Sequence, residues 1–542
     1  MTKRLLAVVL FTWYLLDVNT TFAFTYADTL RGSNGSGRSW WDVQHYDLWA
    51  SLDINEHTIK GSNKIWFKVT GPVGDSMQID LQDPLIIDEI LHGDDKLKAV
   101  KNGNVWWLKC SGINWNKDTT DCITVTYHGT PRVAVNPPWD GGISWKTDKN
   151  GAPFVAVSCQ GLGSSVWWPC KDAQWDEPDY GMSIAITAPN DLVSVSNGQM
   201  VNQMMNDSGT TSYWKVKNPI NTYDATFYIG KFNHWHDTLK GENGPLDLDF
   251  WVLHYNEEKA RKQFAVVKQM LHCFEYWMGP YPFYEDGYKL VEAPYLGMEH
   301  QGAIAYGNEY KKGYLGSDRS GTGVGLNFDY IVVHESGHEW FGNNVTAADI
   351  ADNWIHEGIT VYSEKLFAEC SLGKEKADAY CRGEWKNIKN DKPIIGPYGV
   401  NEEGSGDMYD KGGAIMHMIR TMTRDDERFR KMLRGLGKDF YHRQVTTAEV
   451  EAYIAKNTGL NLAAFFNQYL RTTNIPELEY YIKDGKLFFK FNKVESGFTL
   501  PIPITAGKTK VTINPTDTWQ DVKWKGGYNL KISEDFLIDL KK

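Results

Sequence analysis

Residues 330–342 read YIVVHESGHEWFG. Placed on a helix, His334 and His338 fall one turn apart on one face, so both imidazoles can reach a single ion. Glu335 is turned by about 100° from His334. It therefore stands beside such an ion rather than on it, where it can take a proton from a water on the metal. Two histidines on a surface helix are the plain alternative. The flanks speak against it, because Ile331, Val332 and Val333 make this a buried helix, and a buried polar trio is costly without a purpose.

A third ligand has to come from elsewhere. After eighteen intervening residues stands Glu357, in the segment NWIHEG on the next expected helix. Two neutral imidazoles and one carboxylate leave a fourth position for water, the pattern of a catalytic rather than a structural zinc site. The expectation is one zinc per chain, held by His334, His338 and Glu357. Glu364 lies two turns along from Glu357 on the same face and can orient a ligand histidine; a surface salt bridge explains it equally well. His356 faces away and reads as structural.

The rest of the chain divides around this segment. Its 542 residues exceed what one hydrophobic core sustains. The balance of 57 basic against 68 acidic residues argues against a nucleic-acid partner. Lys3 and Arg4 precede the apolar run Leu5–Leu16, and Thr21-Phe22-Ala23 puts small residues at −3 and −1. Residues 1–23 thus read as a signal peptide, with no transmembrane segment after cleavage, and the protein as exported, periplasmic or secreted. Residues 24–39 are Gly/Ser-rich and read as a linker.

Period-two alternation, as in Tyr46, Leu48, Ala50, Leu52 and Ile54, marks residues 40–235 as an all-β domain. Asn256 then opens a helical pattern, and further helices are expected over 327–341, 349–369, 409–422 and 447–470 within a mostly helical domain, 236–475. From Pro476 the period returns to two, with Asp484-Gly485 as a hairpin signal, so 476–542 form a small C-terminal β domain. The fold class is multidomain α+β. Of seven cysteines, the close pairs Cys110/Cys122 and Cys370/Cys381 could bridge, or the thiols could stay free. The run Gly321–Gly325 lacks the spacing of a phosphate loop, and the 22 tryptophans read as packing rather than sugar stacking.

On these residues the sequence resembles the M1 zinc aminopeptidases (gluzincin aminopeptidases, related to aminopeptidase N and leukotriene A4 hydrolase). The family signature is His-Glu-x-x-His, eighteen residues, then Glu, met at His334, Glu335, His338 and Glu357. A second signature, Gly-x-Met-Glu-Asn, corresponds to Leu296-Gly297-Met298-Glu299-His300, with the Gly displaced by one and His300 for Asn. The resemblance implies that Gly297, Met298 and Glu299 bind substrate, that Glu299 holds its free α-ammonium, and that Gln160 assists. It implies that Tyr409, ahead of Lys411-Gly412, stabilises the oxyanion. It further implies a thermolysin-like catalytic domain and a C-terminal β-sandwich-like domain, in a short form without the large helical domain of many relatives. The expected activity is hydrolysis of the N-terminal bond of peptides with a free N-terminus. A zinc endopeptidase, which has no use for Glu299, and a non-catalytic surface or glycan-binding protein are the alternatives.

Overall fold

The computed structural model describes residues 24–541; the expected signal peptide lies outside the described residues. The alternating stretch folds as half-buried strands. Along Trp41–Asp53 the residues Tyr46, Leu48, Ala50 and Leu52 are buried, and Ile65, Phe67 and Val69 of the paired strand Thr58–Val69 are fully so. These strands are the middle of an eight-stranded sheet, in which Met182–Ala188 runs parallel to Trp41–Asp53. A four-stranded and a three-stranded sheet share its core. Trp167 and Trp168 are completely buried there.

Residues 24–39, expected as a linker, carry a helix instead: α1, Tyr26–Gly32. Thr25 and Asp28 cap its start reciprocally. Arg31 pairs with the buried Asp172 at 2.7 Å. A Cβ at Gly32 would lie 2.2 Å from the carbonyl carbon of Val400, so this segment is clamped against the middle of the chain. A polar, glycine-containing composition concealed one cap and one buried ion pair.

Strand Phe232–Gly241 begins a five-stranded mixed sheet that continues through Gly244–Leu253, Tyr288–Glu292 and Ile304–Tyr306 to its edge, Gly297–Met298. The helices follow: α2 (Val267–Met278), α3 (Tyr330–Gly337), α4 (Trp354–Leu372) and α5 (Asp410–Thr423). Asn256, expected as a cap, donates instead to the Glu292 carboxylate at 2.7 Å, a charge-assisted bond that outcompetes a cap. The 447–470 pattern is two helices, Thr447–Thr458 and Ala463–Arg471, because Gly459 takes a left-handed φ of 71° and ends the first.

Cys273 of α2 is bridged to Cys370 of α4. Cys110, Cys122 and Cys381 are free, so the pairs that are close in sequence do not form. Side-by-side packing of α2 and α4 decided the partner. Beyond residue 476 two small sheets of four and three strands continue the same core through Leu478, Phe491 and Ile504. The hairpin turns at Asp484 and Gly485, both with positive φ.

Two features position α3. The β domain is pinned beside it: Gln174 Nε2 donates to Ala347 O (2.8 Å) and Asn197 Nδ2 to Gln301 O (2.8 Å). Asp329, 2% exposed, caps α3 by accepting from the Val332 N–H at 3.3 Å. It also accepts from the Tyr306 hydroxyl and Asn308 Nδ2, both at 2.7 Å. Asp329→Ala removes the cap and strands two buried donors. We expect a loss of about 3 kcal/mol, read as earlier unfolding in urea; an unchanged midpoint would show the cap to be dispensable.

Candidate active site

His334, His338 and Glu357 are 5%, 1% and 2% exposed and converge on one point. The two Nε2 atoms are 3.3 Å apart, and Glu357 Oε2 is 3.6 Å from His334 Nε2 and 3.3 Å from His338 Nε2. Each ring is held from behind. His334 Nδ1 lies 2.8 Å from Glu364 Oε1, and His338 Nδ1 lies 3.0 Å from the Phe341 carbonyl. Acceptors at both Nδ1 atoms keep the protons there and leave the Nε2 lone pairs facing each other. Glu357 Oε2 is buried without a hydrogen-bond partner.

Two bare imidazole nitrogens and an orphaned carboxylate oxygen at these separations call for a cation. A tetrahedron with bonds of about 2.1 Å has edges of about 3.4 Å. The donor set and its spacing fit zinc. Glu364 settles into the orienting role rather than a surface bridge: it is fully buried, and its second oxygen accepts from the Tyr380 hydroxyl at 2.5 Å.

Glu335 is 7% exposed, and burial pushes its carboxyl up to about 7; a dication alongside would draw it back down. The edge strand Gly297–Met298 passes over it so closely that a Cβ at 297 would lie 2.6 Å from Glu335 Oε1. Met298 anchors that strand in the β-domain core. Next along the chain, Glu299 is 3% exposed and raised above the usual carboxylate range chiefly by burial.

Glu299 Oε1 accepts from Gln160 Nε2 at 2.7 Å and from the Tyr223 hydroxyl at 3.2 Å. Both donors come from the β domain. Tyr223 was not singled out in the sequence, where a lone tyrosine on a short turn carries no signal. His300 turns away from the cleft: its Nδ1 meets the Tyr228 hydroxyl at 2.7 Å, and burial lowers its pKa to about 3.

Tyr409 lines the same cleft, its ring stacked on that of His334 with centroids 6.0 Å apart. The step that puts it there is glycine against glycine. A Cβ at Gly412 would lie 2.6 Å from the Cα of Gly358, the residue after the ligand Glu357. Helix α5 therefore docks on α4 backbone to backbone, directly beside the metal ligands. Tyr409, Glu335, Glu299, Gln160 and the three ligands all line one cleft of about 900 Å³. Trp139, Arg319 and Glu403 line it too, unannounced by any motif. The Gly321–Gly325 run does not line it; the loop folds about Asp318, which accepts from the Ser320 N–H. A dication with an adjacent carboxylate base is a constellation for metal-assisted hydrolysis.

Residues 263–469 match the family model described as "Peptidase family M1 domain". This match covers the residues that hold the cluster of His334, His338 and Glu357. Among curated relatives, leukotriene A-4 hydrolase of Xenopus laevis is 24% identical over 444 residues, covering 76% of this chain and 68% of its own. Aminopeptidase M1-D of Oryza sativa subsp. japonica is 23% identical, covering 63% of this chain and 40% of its own. Aminopeptidase B of Rattus norvegicus is 24% identical, covering 64% and 54%. The chain thus spans about half the length or less of several relatives. A crystal structure of an M1 zinc metallopeptidase from Deinococcus radiodurans, bound to Tyr-Ser-Ala, superposes with a TM-score of 0.68 at 19% identity. It covers 81% of this chain and 96% of that one, so the helical domain and the β domain share that fold.

The geometry of the site makes two predictions. His338→Ala should lose its metal, whereas Glu335→Gln, which removes a base and no ligand, should keep near-stoichiometric zinc by elemental analysis while turnover disappears. Equal metal loss in both variants would contradict the ligand assignment. Gly412→Ala should retain zinc yet lower kcat about tenfold or more, because α5 must move off α4 and take Tyr409 with it; wild-type turnover would refute the docking argument.

Proposed function

We propose that this chain is an exported zinc aminopeptidase that removes single residues from the free N-terminus of peptides. One observation carries the reading: Glu299, buried and braced by Gln160 and Tyr223, faces the same cleft as the metal ligands. A carboxylate placed there serves no purpose for an internal peptide bond. It suits the α-ammonium of a substrate, which has a pKa near 8 and is mostly charged at neutral pH. Because the ammonium is fixed within one residue of the metal ligands, only the first peptide bond reaches the base.

Zinc, when bound by His334, His338 and Glu357, supplies a Lewis acid that polarises the scissile carbonyl. Glu335 takes the proton of the attacking water and hands it to the departing amine. The Tyr409 hydroxyl donates to the carbonyl oxygen as negative charge develops on it. Gln160 Nε2 is spent on Glu299, which leaves its carbonyl oxygen free to accept from the ammonium. The names of the aminopeptidase relatives and the tripeptide held by the structural neighbour support this reading.

Export rests on the N-terminal basic-apolar pattern and is supported by the Cys273–Cys370 disulfide, a bond favoured in oxidising compartments. Among the described residues no helix is long and apolar enough to cross a membrane.

Aminoacyl anilides test the chemistry. Tyr409→Phe should keep its zinc and a similar KM while kcat falls about 10²–10³-fold. Glu299→Ala should also keep its zinc and lose at least about 10²-fold in kcat/KM, since a buried charge loses its partner. Near-normal kcat/KM in Glu299→Ala would remove the ammonium site, and with it the aminopeptidase reading.

A further inference from the structure

One tryptophan departs from the packing role. Trp49 is 37% exposed, on the outward face of the eight-stranded sheet. Its neighbours Leu48 and Ala50 belong to the β-domain core, so Trp49 and Ser51 point away from it. The indole N–H donates to the Thr187 hydroxyl at 3.1 Å, and the Thr187 and Thr211 hydroxyls are 2.7 Å apart. The ring is thus fixed at one edge and open to solvent elsewhere.

Strand register sets a second ring in line with it. Trp49 pairs with Ala185 of the strand Met182–Ala188, and Ala185 pairs with Tyr213 of the strand Gly209–Val216. Two strand steps are about 9.5 Å, and only the methyl group of an alanine stands between the rings. On the other side of Trp49 the row continues through Ser62 and Thr126. The next row on the same face reads Thr211, Thr187, Ser51, Lys60 and His128. A pair of aromatic rings therefore lies beside a polar row rich in hydroxyls.

Trp49, Tyr213, Ser51 and Lys60 line a groove of about 1470 Å³ that shares no lining residue with the metal cleft. Its charges are few and locally compensated. Asp191 pairs with Lys231 at 2.8 Å, His128 with Asp88 at 2.7 Å, and Asp53 accepts from the Asn55 and Glu56 N–H groups. Among the described residues Lys60 is the single Lys or Arg of the lining, against three aspartates, so a polyanion finds no grip. An extended peptide would pair with a sheet edge through its backbone rather than with a sheet face. A protein partner would need an apolar centre, which Ser51, Ser62 and Thr126 do not provide.

We propose that this groove binds a neutral, extended oligosaccharide of β-linked pyranose units, laid across the strands along the row from Tyr213 to Thr126. A pyranose ring presents C–H bonds on its face, and these favour the negative face of an aromatic ring. Each unit of such a chain advances by about one strand spacing, so every second unit lies over an aromatic ring. The hydroxyls that edge the sugars then meet Ser51, Thr211 and the Lys60 amine. Bound there, a polysaccharide holds the protein while the metal cleft stays open.

The test is a calorimetric titration of the zinc-loaded protein. Chitohexaose and cellohexaose are the neutral, extended probes; maltohexaose and hexagalacturonate are the curved and the acidic controls. At least one of the first two should bind with a Kd below about 1 mM, and neither control should. Trp49→Ala and Tyr213→Ala should each weaken binding at least about tenfold, the worth of one stacked ring. Zinc content and anilide turnover should stay at the wild-type level in both. Ala185→Gln keeps both rings and fills the space between them, so it should weaken binding likewise, and it decides the matter where a ring variant fails to fold. No binding of chitohexaose or cellohexaose by the wild type would overturn the proposal. So would binding that survives Trp49→Ala or Ala185→Gln with zinc retained, or tighter binding of either control. None of these outcomes bears on Glu299 or on the aminopeptidase reading.

Discussion

Three carboxylates, those of Glu299, Glu335 and Glu357, are buried around two imidazoles with almost no contact with water. Burial of that much like charge is unfavourable unless cations enter. A dication between His334, His338 and Glu357, together with a substrate ammonium at Glu299, supplies three positive charges against three negative ones. The site is thus complete only when loaded. The rest of the structure can be understood as the scaffold that holds this unbalanced group together before it is loaded.

The scaffold works by exclusion as much as by contact. Glu364 and the Phe341 carbonyl hold the ligand rings from behind, and Tyr380 in turn holds Glu364. Gly297 lets the edge strand pass over the base, and Gly358 with Gly412 lets α5 reach the metal ligands. The β domain closes the cleft from the other side and supplies Gln160 and Tyr223 to Glu299. Gln174 and Asn197 tie it to the segments that flank α3 in the chain, at Ala347 and Gln301. On the proposed reading, amino-terminal specificity is a property of two domains and the hydrolytic centre a property of one.

What the sequence revealed follows from distance along the chain. His334, Glu335 and His338 share one helix, so their relation is a matter of helical geometry alone. Glu364 lies two turns from Glu357 on the same helix and meets His334 for the same reason. The alternation in strands 41–53 and 58–69 was legible because one face of each is buried. Tyr223, Arg319 and Trp139 are different: each is one residue on a turn or loop, and only tertiary packing brings Arg319 and Trp139 to the cleft and Tyr223 to Glu299. The Cys273–Cys370 bridge spans 97 positions and left no local trace, while the capped helix α1 hid in a composition typical of linkers. His300, a departure from the family signature, contacts Tyr228 rather than the cleft, so its effect falls on β-domain packing.

The account stands on Glu299 as the ammonium site, and one measurement addresses it directly. The zinc-loaded protein is incubated with two peptides of identical sequence, one free and one N-acetylated, and the products are identified by mass. The account predicts stepwise loss of residues from the free N-terminus and no cleavage of the acetylated peptide. Comparable internal cleavage of both would contradict it and assign the same metal centre to an endopeptidase.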